Sequence, residues 1–130
     1  MKKCICALTC VVLFAFSSVF SRDLTGTYDL VGSNSRGGRV AYRGQVIIEP
    51  FGQNYRVIWM IGSNQVQAGI GILDQDELTL SVAYSDMNSN DVGVVSFGVV
   101  NDFELEGKWA TMNSYSYGWE NIIWVSPFTN

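Results

Sequence analysis

Apolar and polar residues alternate with a period of two along most of the chain, and no segment beyond Phe20 keeps a helical 3.6 period over a useful length. The stretch Tyr55–Leu73, YRVIWMIGSNQVQAGIGIL, organises this pattern. Folded about a two-residue loop at Ser63–Asn64, it sets Ile61 opposite Val66, Trp59 opposite Ala68, Val57 opposite Ile70 and Tyr55 opposite Ile72. One face then carries eight apolar or aromatic side chains, with the bulkiest set against the smallest.

The flanking segments extend the scheme. Leu24–Val31 alternates Leu24, Gly26, Tyr28 and Leu30 against Thr25, Thr27 and Asp29, and reads as a first strand. A polar loop from Gly32 to Gly38 leads to Arg39–Glu49, where Val40, Tyr42, Gly44, Val46 and Ile48 oppose Arg39, Arg43, Gln45 and Glu49. Pro50-Phe51-Gly52-Gln53 is turn chemistry. A three-residue loop at Asp74-Gln75-Asp76, with Asp76 left-handed, pairs Ile72 with Leu78, Ile70 with Leu80, Ala68 with Val82 and Val66 with Tyr84.

Beyond the polar loop Ser85–Asp91, Val92–Val100 is apolar on both faces. A tight turn at Asn101-Asp102 sets Val100 against Phe103, Gly98 against Leu105, Ser96 against Gly107 and Val94 against Trp109. This register leaves Val95, Phe97 and Val99 as an exposed apolar stripe, a candidate surface for a homo-oligomer or another partner. Tyr117–Ser126 is an eighth strand whose faces stay ambiguous because Ile122, Ile123 and Trp124 run together.

Eight short strands with tight connections predict an all-β, antiparallel, up-and-down barrel, with a two-sheet sandwich as the alternative. Closure pairs Tyr117–Ser126 with Leu24–Val31 and removes both exposed edges. Tyr42, Tyr55, Trp59 and Trp109 are the large residues expected to fill the interior. Eight strands make a barrel that side chains just fill, or that holds one small ligand.

Composition narrows the function. Lys2 and Lys3 followed by an apolar run to Phe20 have the form of a secretory leader, with small-residue cleavage sites at Ser17 or Ser21. The expected organisation is a leader over 1–21 and one barrel domain over 22–130, exported to the periplasm or secreted. All three cysteines fall within the leader and the chain has no histidine. The mature domain therefore has no disulfide, thiol nucleophile, Cys/His zinc site or histidine base. Beyond Ser21, six positive side chains face twelve carboxylates, a balance of −6 that disfavours nucleic acid as a partner.

The remaining polar clusters give binding rather than catalytic candidates. Asp86–Asp91 places oxygen side chains at alternate positions but lacks the glycine and terminal glutamate of a calcium loop. Glu104 and Glu106 share an outer face with Lys108, the only lysine beyond the leader. No metal site, cofactor or enzyme activity is expected. Arg36, Arg39, Arg43 and Arg56 form a candidate outer patch for an anionic partner such as lipid A phosphates or an acidic protein surface. Tyr115, Tyr117 and Trp119, among Ser, Asn and Gly, have the composition of an adaptable recognition loop.

Gly26-Thr27-Tyr28, Tyr42-x-Gly44-x-Val46-x-Ile48, Tyr55-x-Val57-x-Trp59, Gly69-x-Gly71 and Gly107-x-Trp109 follow one another along most of the mature chain. In order and spacing they resemble a group of small exported bacterial β-barrel domains, and at fold level the barrels of avidins and lipocalins. The resemblance implies a fold rather than a chemistry, since its motifs are glycines and aromatics. The expected function is an exported, non-catalytic binding module recognising a protein partner through its loops or outer face, in an inhibitor- or adhesin-like role. A carrier of a small apolar ligand inside the barrel and a structural or oligomeric envelope protein are the alternatives.

Overall fold

The computed structural model describes residues 22–129, so the predicted leader over 1–21 lies outside the described residues. Eight strands follow one another: β1 (Gly26–Ser33), β2 (Tyr42–Phe51), β3 (Asn54–Ile61), β4 (Gln65–Leu73), β5 (Thr79–Asp86), β6 (Val92–Asn101), β7 (Glu104–Thr111) and β8 (Gly118–Ser126). Each pairs antiparallel with its neighbours, and β8 closes onto β1 through pairs such as Leu30↔Ile122 and Val31↔Asn121. The architecture is a closed up-and-down barrel, not a two-sheet sandwich. Closure leaves no strand edge unpaired.

The interior is packed with apolar rings and branched chains. Trp59, Tyr28, Phe97, Leu30, Ile48, Leu80, Leu105 and Ile122 are all essentially fully buried. Tyr42, Tyr55 and Trp109, predicted to point inward with Trp59, pack against this core while remaining partly accessible. Each buried aliphatic or aromatic side chain of this size contributes ~1.5–3 kcal/mol on leaving water.

Three strand registers differ from the sequence-based expectation, and each difference has a local cause. Between β3 and β4 the loop is Gly62-Ser63-Asn64, because Gly62 takes φ +58° and Ile61 pairs with Gln65. The one-residue shift turns β4 over. Val66, Ala68, Ile70 and Ile72 now face outward, with Ile72 62% exposed, while Gln67, Gly69, Gly71 and Leu73 face inward. Side chains of the neighbouring strand have already taken the interior volume. A Cβ at Gly71 would stand 3.1 Å from Leu80 Cδ1 and 3.2 Å from Val82 Cγ2.

In the β4–β5 connection, Glu77 rather than Asp76 is left-handed, at φ 59°. The register becomes Leu73↔Leu80, Gly71↔Val82 and Gly69↔Tyr84. The third shift lies between β6 and β7. The chain turns at Asp102-Phe103, with Asn101 paired to Glu104 and its side chain accepting the Phe103 amide at 2.8 Å. An irregularity between Val99 and Asn101 leaves Val100 without a partner, so that Val99 faces Leu105, Phe97 faces Gly107 and Val95 faces Trp109.

The exposed stripe expected of Val95, Phe97 and Val99 is therefore corrected. Val95 and Phe97 are core residues at 2% and 0% exposure, and Val99 packs against them. No interface can use them without unfolding the barrel. The outward apolar residues of this strand are Val92, Val94 and Val100. Val40, expected inside, lies in the β1–β2 connection and is exposed.

One end of the barrel is sealed by the segment preceding β1. Leu24 is buried beneath the interior, and its carbonyl accepts the Tyr28 hydroxyl at 2.7 Å. The Tyr55 hydroxyl donates to the Arg22 carbonyl at 3.3 Å, while the Arg22 amide donates to Glu77 at 3.0 Å. An exposed ion pair from Arg22 to Asp102 completes this plug.

The inward and outward senses are testable by truncation. Phe97→Ala is expected to lower unfolding free energy by ~3–5 kcal/mol, as for other buried aromatics. Ile72→Ala, on the outer face, is expected to change it by less than ~0.5 kcal/mol. Urea titrations of both variants measure the two values, and equal effects would contradict this register.

Candidate functional site

The end opposite the plug is open. Four inward aromatics, Tyr42 of β2, Trp59 of β3, Tyr84 of β5 and Trp109 of β7, surround a cavity of about 240 Å³. Glu120 of β8 lines it as well, held inward because Ile122 and Trp124 occupy the same face of the strand. The mouth is polar, formed by Asn34, Gln65, Gln67, Asp86, Asp91 and Thr111. Below it the barrel is filled by Phe97, which stacks on Trp59 at 6.5 Å between ring centroids and 15° between planes.

The walls are fixed by contact with glycines. The Trp109 ring lies over Gly118 and the Tyr42 ring over Gly32, where an added Cβ would overlap the ring in each case. Tyr42 and Trp109 lean on one another at 6.5 Å and 58°, and Trp59 and Tyr84 at 5.4 Å and 52°. Large rings set across small residues give the cavity rigid sides.

Glu120 is 5% exposed and accepts two hydrogen bonds, from Trp59 Nε1 to Oε1 at 3.0 Å and from the Tyr42 hydroxyl to Oε2 at 3.1 Å. Both donors are neutral. Burial raises the Glu120 carboxyl to about 7, against the smaller lowering effect of those two hydrogen bonds. Burial likewise raises the Tyr42 hydroxyl far above its ordinary range, helped by the charge of Glu120. Tyr84 is pushed up to about 12 by burial and then by Glu120. Trp109 Nε1 is buried in the same wall without a hydrogen-bond partner. Asp86 at the mouth shifts the other way, its carboxyl lowered by the Asn88 amide at 2.8 Å and the Gln65 side chain at 3.0 Å.

The candidates read from sequence fall elsewhere, and the structure gathers only some of them. Arg36 lies 5.8 Å from the centroid of Tyr117, which Lys108 approaches from 5.4 Å, and the Trp119 indole donates to the Gly38 carbonyl at 3.1 Å. These residues share the outer rim near the open end. Arg39 and Arg43 are exposed. Arg56 is not part of that group: β2–β3 pairing sets it across from Glu49, toward the sealed end, where it stacks on Phe51 at 4.3 Å and meets Glu49 at 3.5 Å. Tyr115 projects fully into solvent. Among the described residues no group of three or more His, Cys, Asp or Glu is arranged to hold a metal ion.

Sequence reasoning identified Tyr42, Trp59 and Trp109 as interior residues but missed Glu120, the centre of the cavity. Its signal was an even spacing from Ile122 and Trp124, masked by the intervening Ile123.

Glu120 gives the fold an unusual pH dependence. Its unfolded carboxyl ionises near 4.5, whereas the folded one holds its proton to about 7. The folded state therefore binds more protons in this window, so stability is full below 4.5 and falls as pH rises toward and through 7. The loss is on the order of 3 kcal/mol at most, at ~1.4 kcal/mol for each pH unit that separates the folded from the unfolded ionisation. With no histidine in the chain, no histidine titration overlaps it. Urea unfolding at pH 5 and pH 8 should show wild type weaker at pH 8, and Glu120→Gln should flatten that difference.

No protein-family model and no curated protein matches the chain. Solved structures do. A redesigned β-barrel, mFAP1, bound to DFHBI, superposes with a TM-score of 0.62 at 14% identity, over 78% of this chain and 94% of that one. Another redesigned β-barrel gives 0.65 at 13% identity, over 79% and 92%. A fluorescence-activating β-barrel designed de novo gives 0.62 at 11% identity, over 81% and 96%. At these identities the likeness is one of fold: the chain has the architecture of these closed barrels.

Proposed function

We propose that the protein is an exported, non-catalytic binding module that holds a small ligand in the open mouth of its barrel. The observation that carries this reading is the asymmetry of the interior. One end is plugged by Leu24 and filled by packed side chains, while the other is a cavity with rigid aromatic walls and a hydrogen-bonded carboxylate in its lining. Aromatic walls, convergent polar groups and a strongly shifted carboxyl are the features of a small-molecule site. At about 240 Å³ the cavity is smaller than the ~300–1,000 Å³ typical of sites for drug-sized compounds, so a compact ligand fits best.

Support at fold level comes from mFAP1, a barrel of this architecture that is bound to DFHBI. The ligand reading displaces protein recognition from first place because the arginines do not converge. Arg56 is engaged by Glu49 and Phe51 near the sealed end, away from Arg36 and Tyr117. Export rests on the leader-like segment over 1–21.

Trp59 and Trp109 line the cavity, so occupancy is expected to alter tryptophan fluorescence and raise the melting temperature. A ligand at 100 times its Kd adds about 2.7 kcal/mol of stability. Gln67→Phe, which fills the mouth, should weaken binding by at least about tenfold while leaving the barrel folded. Binding unchanged by Gln67→Phe would place the ligand elsewhere. A protein partner captured by wild type but lost when Arg39 and Arg43 become Glu would return the function to the outer face.

A further inference from the structure

The chemistry lining the mouth is one-sided. Carboxylates of Glu120, Asp86 and Asp91 contribute to the cavity, and among the described residues no lysine or arginine does. Facing Glu120 are Tyr42 from β2, Trp59 from β3, Tyr84 and Asp86 from β5, Asp91 from the β5–β6 connection, and Trp109 from β7. None of them carries positive charge. The ion pairs among the described residues, Arg22–Asp102 and Arg56–Glu49, lie away from the cavity. Once ionised, the Glu120 carboxylate has two neutral donors and no cation beside it, so an incoming cation stabilises its charge.

We propose that the barrel mouth is selective for a small organic cation, an ammonium group on a compact apolar body, with Glu120 as its counter-ion. This inference rests on the ligand-binding reading above and names the class of ligand. Each Glu120 oxygen accepts one hydrogen bond from the protein, and a carboxylate has about four lone-pair positions, so acceptor capacity remains for an ammonium group. The rings of Trp59, Tyr84, Tyr42 and Trp109 line the same space, and aromatic rings attract cations as well as apolar surface. Asp86 and Asp91 at the rim add a field that draws cations in and repels anions. A ligand oxygen beside the ammonium group would also meet the unpartnered Trp109 indole N–H.

Titration of Glu120 couples to this selectivity. An ammonium ion pairs with the ionised carboxylate, so binding strengthens as pH rises through the range in which Glu120 loses its proton. The ammonium ion itself keeps its charge there, as lysine does. A neutral ligand of the same shape shows no such gain.

The test uses three compounds of one shape: phenethylammonium, 2-phenylethanol and phenylacetate. Tryptophan fluorescence and calorimetry would follow each of them with wild type, Glu120→Gln and Gln67→Phe, at pH 5.5 and pH 8.5. The expected result is that phenethylammonium binds at least about tenfold more tightly than the alcohol at pH 8.5, with phenylacetate weakest. That preference should shrink in Glu120→Gln and, in wild type, at pH 5.5. The pH comparison decides the matter even where the glutamine variant folds poorly. Equal affinity for ammonium and alcohol, or a preference that survives both changes, overturns the cation assignment while leaving the mouth a ligand site, provided Gln67→Phe blocks binding. Failure of all three compounds to bind wild type overturns the assignment and the ligand reading together.

Discussion

An eight-stranded barrel encloses a limited volume, and every inward residue competes for it. That constraint decides which way each strand faces in this protein. Trp59, Tyr28, Phe97 and Tyr84 are large enough to fill much of the interior from four strands. The strands beside them must then give way locally. β4 does so by presenting Gly69 and Gly71 inward, and β7 by setting Gly107, between Leu105 and Trp109, against the Phe97 ring. The cavity persists because rings supported by Gly32 and Gly118 stand along the wall instead of crossing the opening.

This competition explains what was legible in the sequence and what was not. Period-two alternation identified the strands and their order, because each is a local or nearest-neighbour property; the closure of β8 on β1 followed from the strand number and the cost of two exposed edges. The inward face of β1 was also clear, since Tyr28 and Leu30 alternate with Thr27 and Asp29; on β2 and β3 the polar Arg43, Gln45, Glu49 and Arg56 marked the outer side although Ile47 and Ile58 share it. On β6 both faces are apolar or small, so alternation gives no sense of direction; on β4, where Gln65, Gln67, Gly69 and Gly71 alternate with Val66, Ala68, Ile70 and Ile72, it points the wrong way. There the register depends on single turn residues: Gly62 and Glu77 in the left-handed region, and the unpaired Val100. A rule that bulky side chains go inward fails on β4, where Ile70 and Ile72 remain outside because the interior has no room for them.

The site was less visible than the fold for a related reason. Its walls were identified as packing residues, and packing residues at a barrel mouth are also the residues that touch a ligand. Glu120 was hidden by chemistry as well as by register, since a glutamate on a strand is ordinarily read as solvent-facing. Its burial depends on donors from Tyr42 and Trp59, 78 and 61 positions away in sequence. Only the closed barrel brings β2, β3 and β8 to one level. The arginines were conspicuous in sequence because they are exposed, and exposure by itself specifies no common location.

The plug at Leu24 has a consequence for how the molecule is presented. Arg22 leaves the barrel beside Glu77 and Asp102, and β8 runs out toward the same end, where Trp124 meets Phe103. Both ends of the described chain therefore depart from one pole. Strands of eight to ten residues, at ~3.3 Å each, put the other pole roughly 25 Å away. The acidic aromatic opening therefore lies at the pole away from both ends of the described chain.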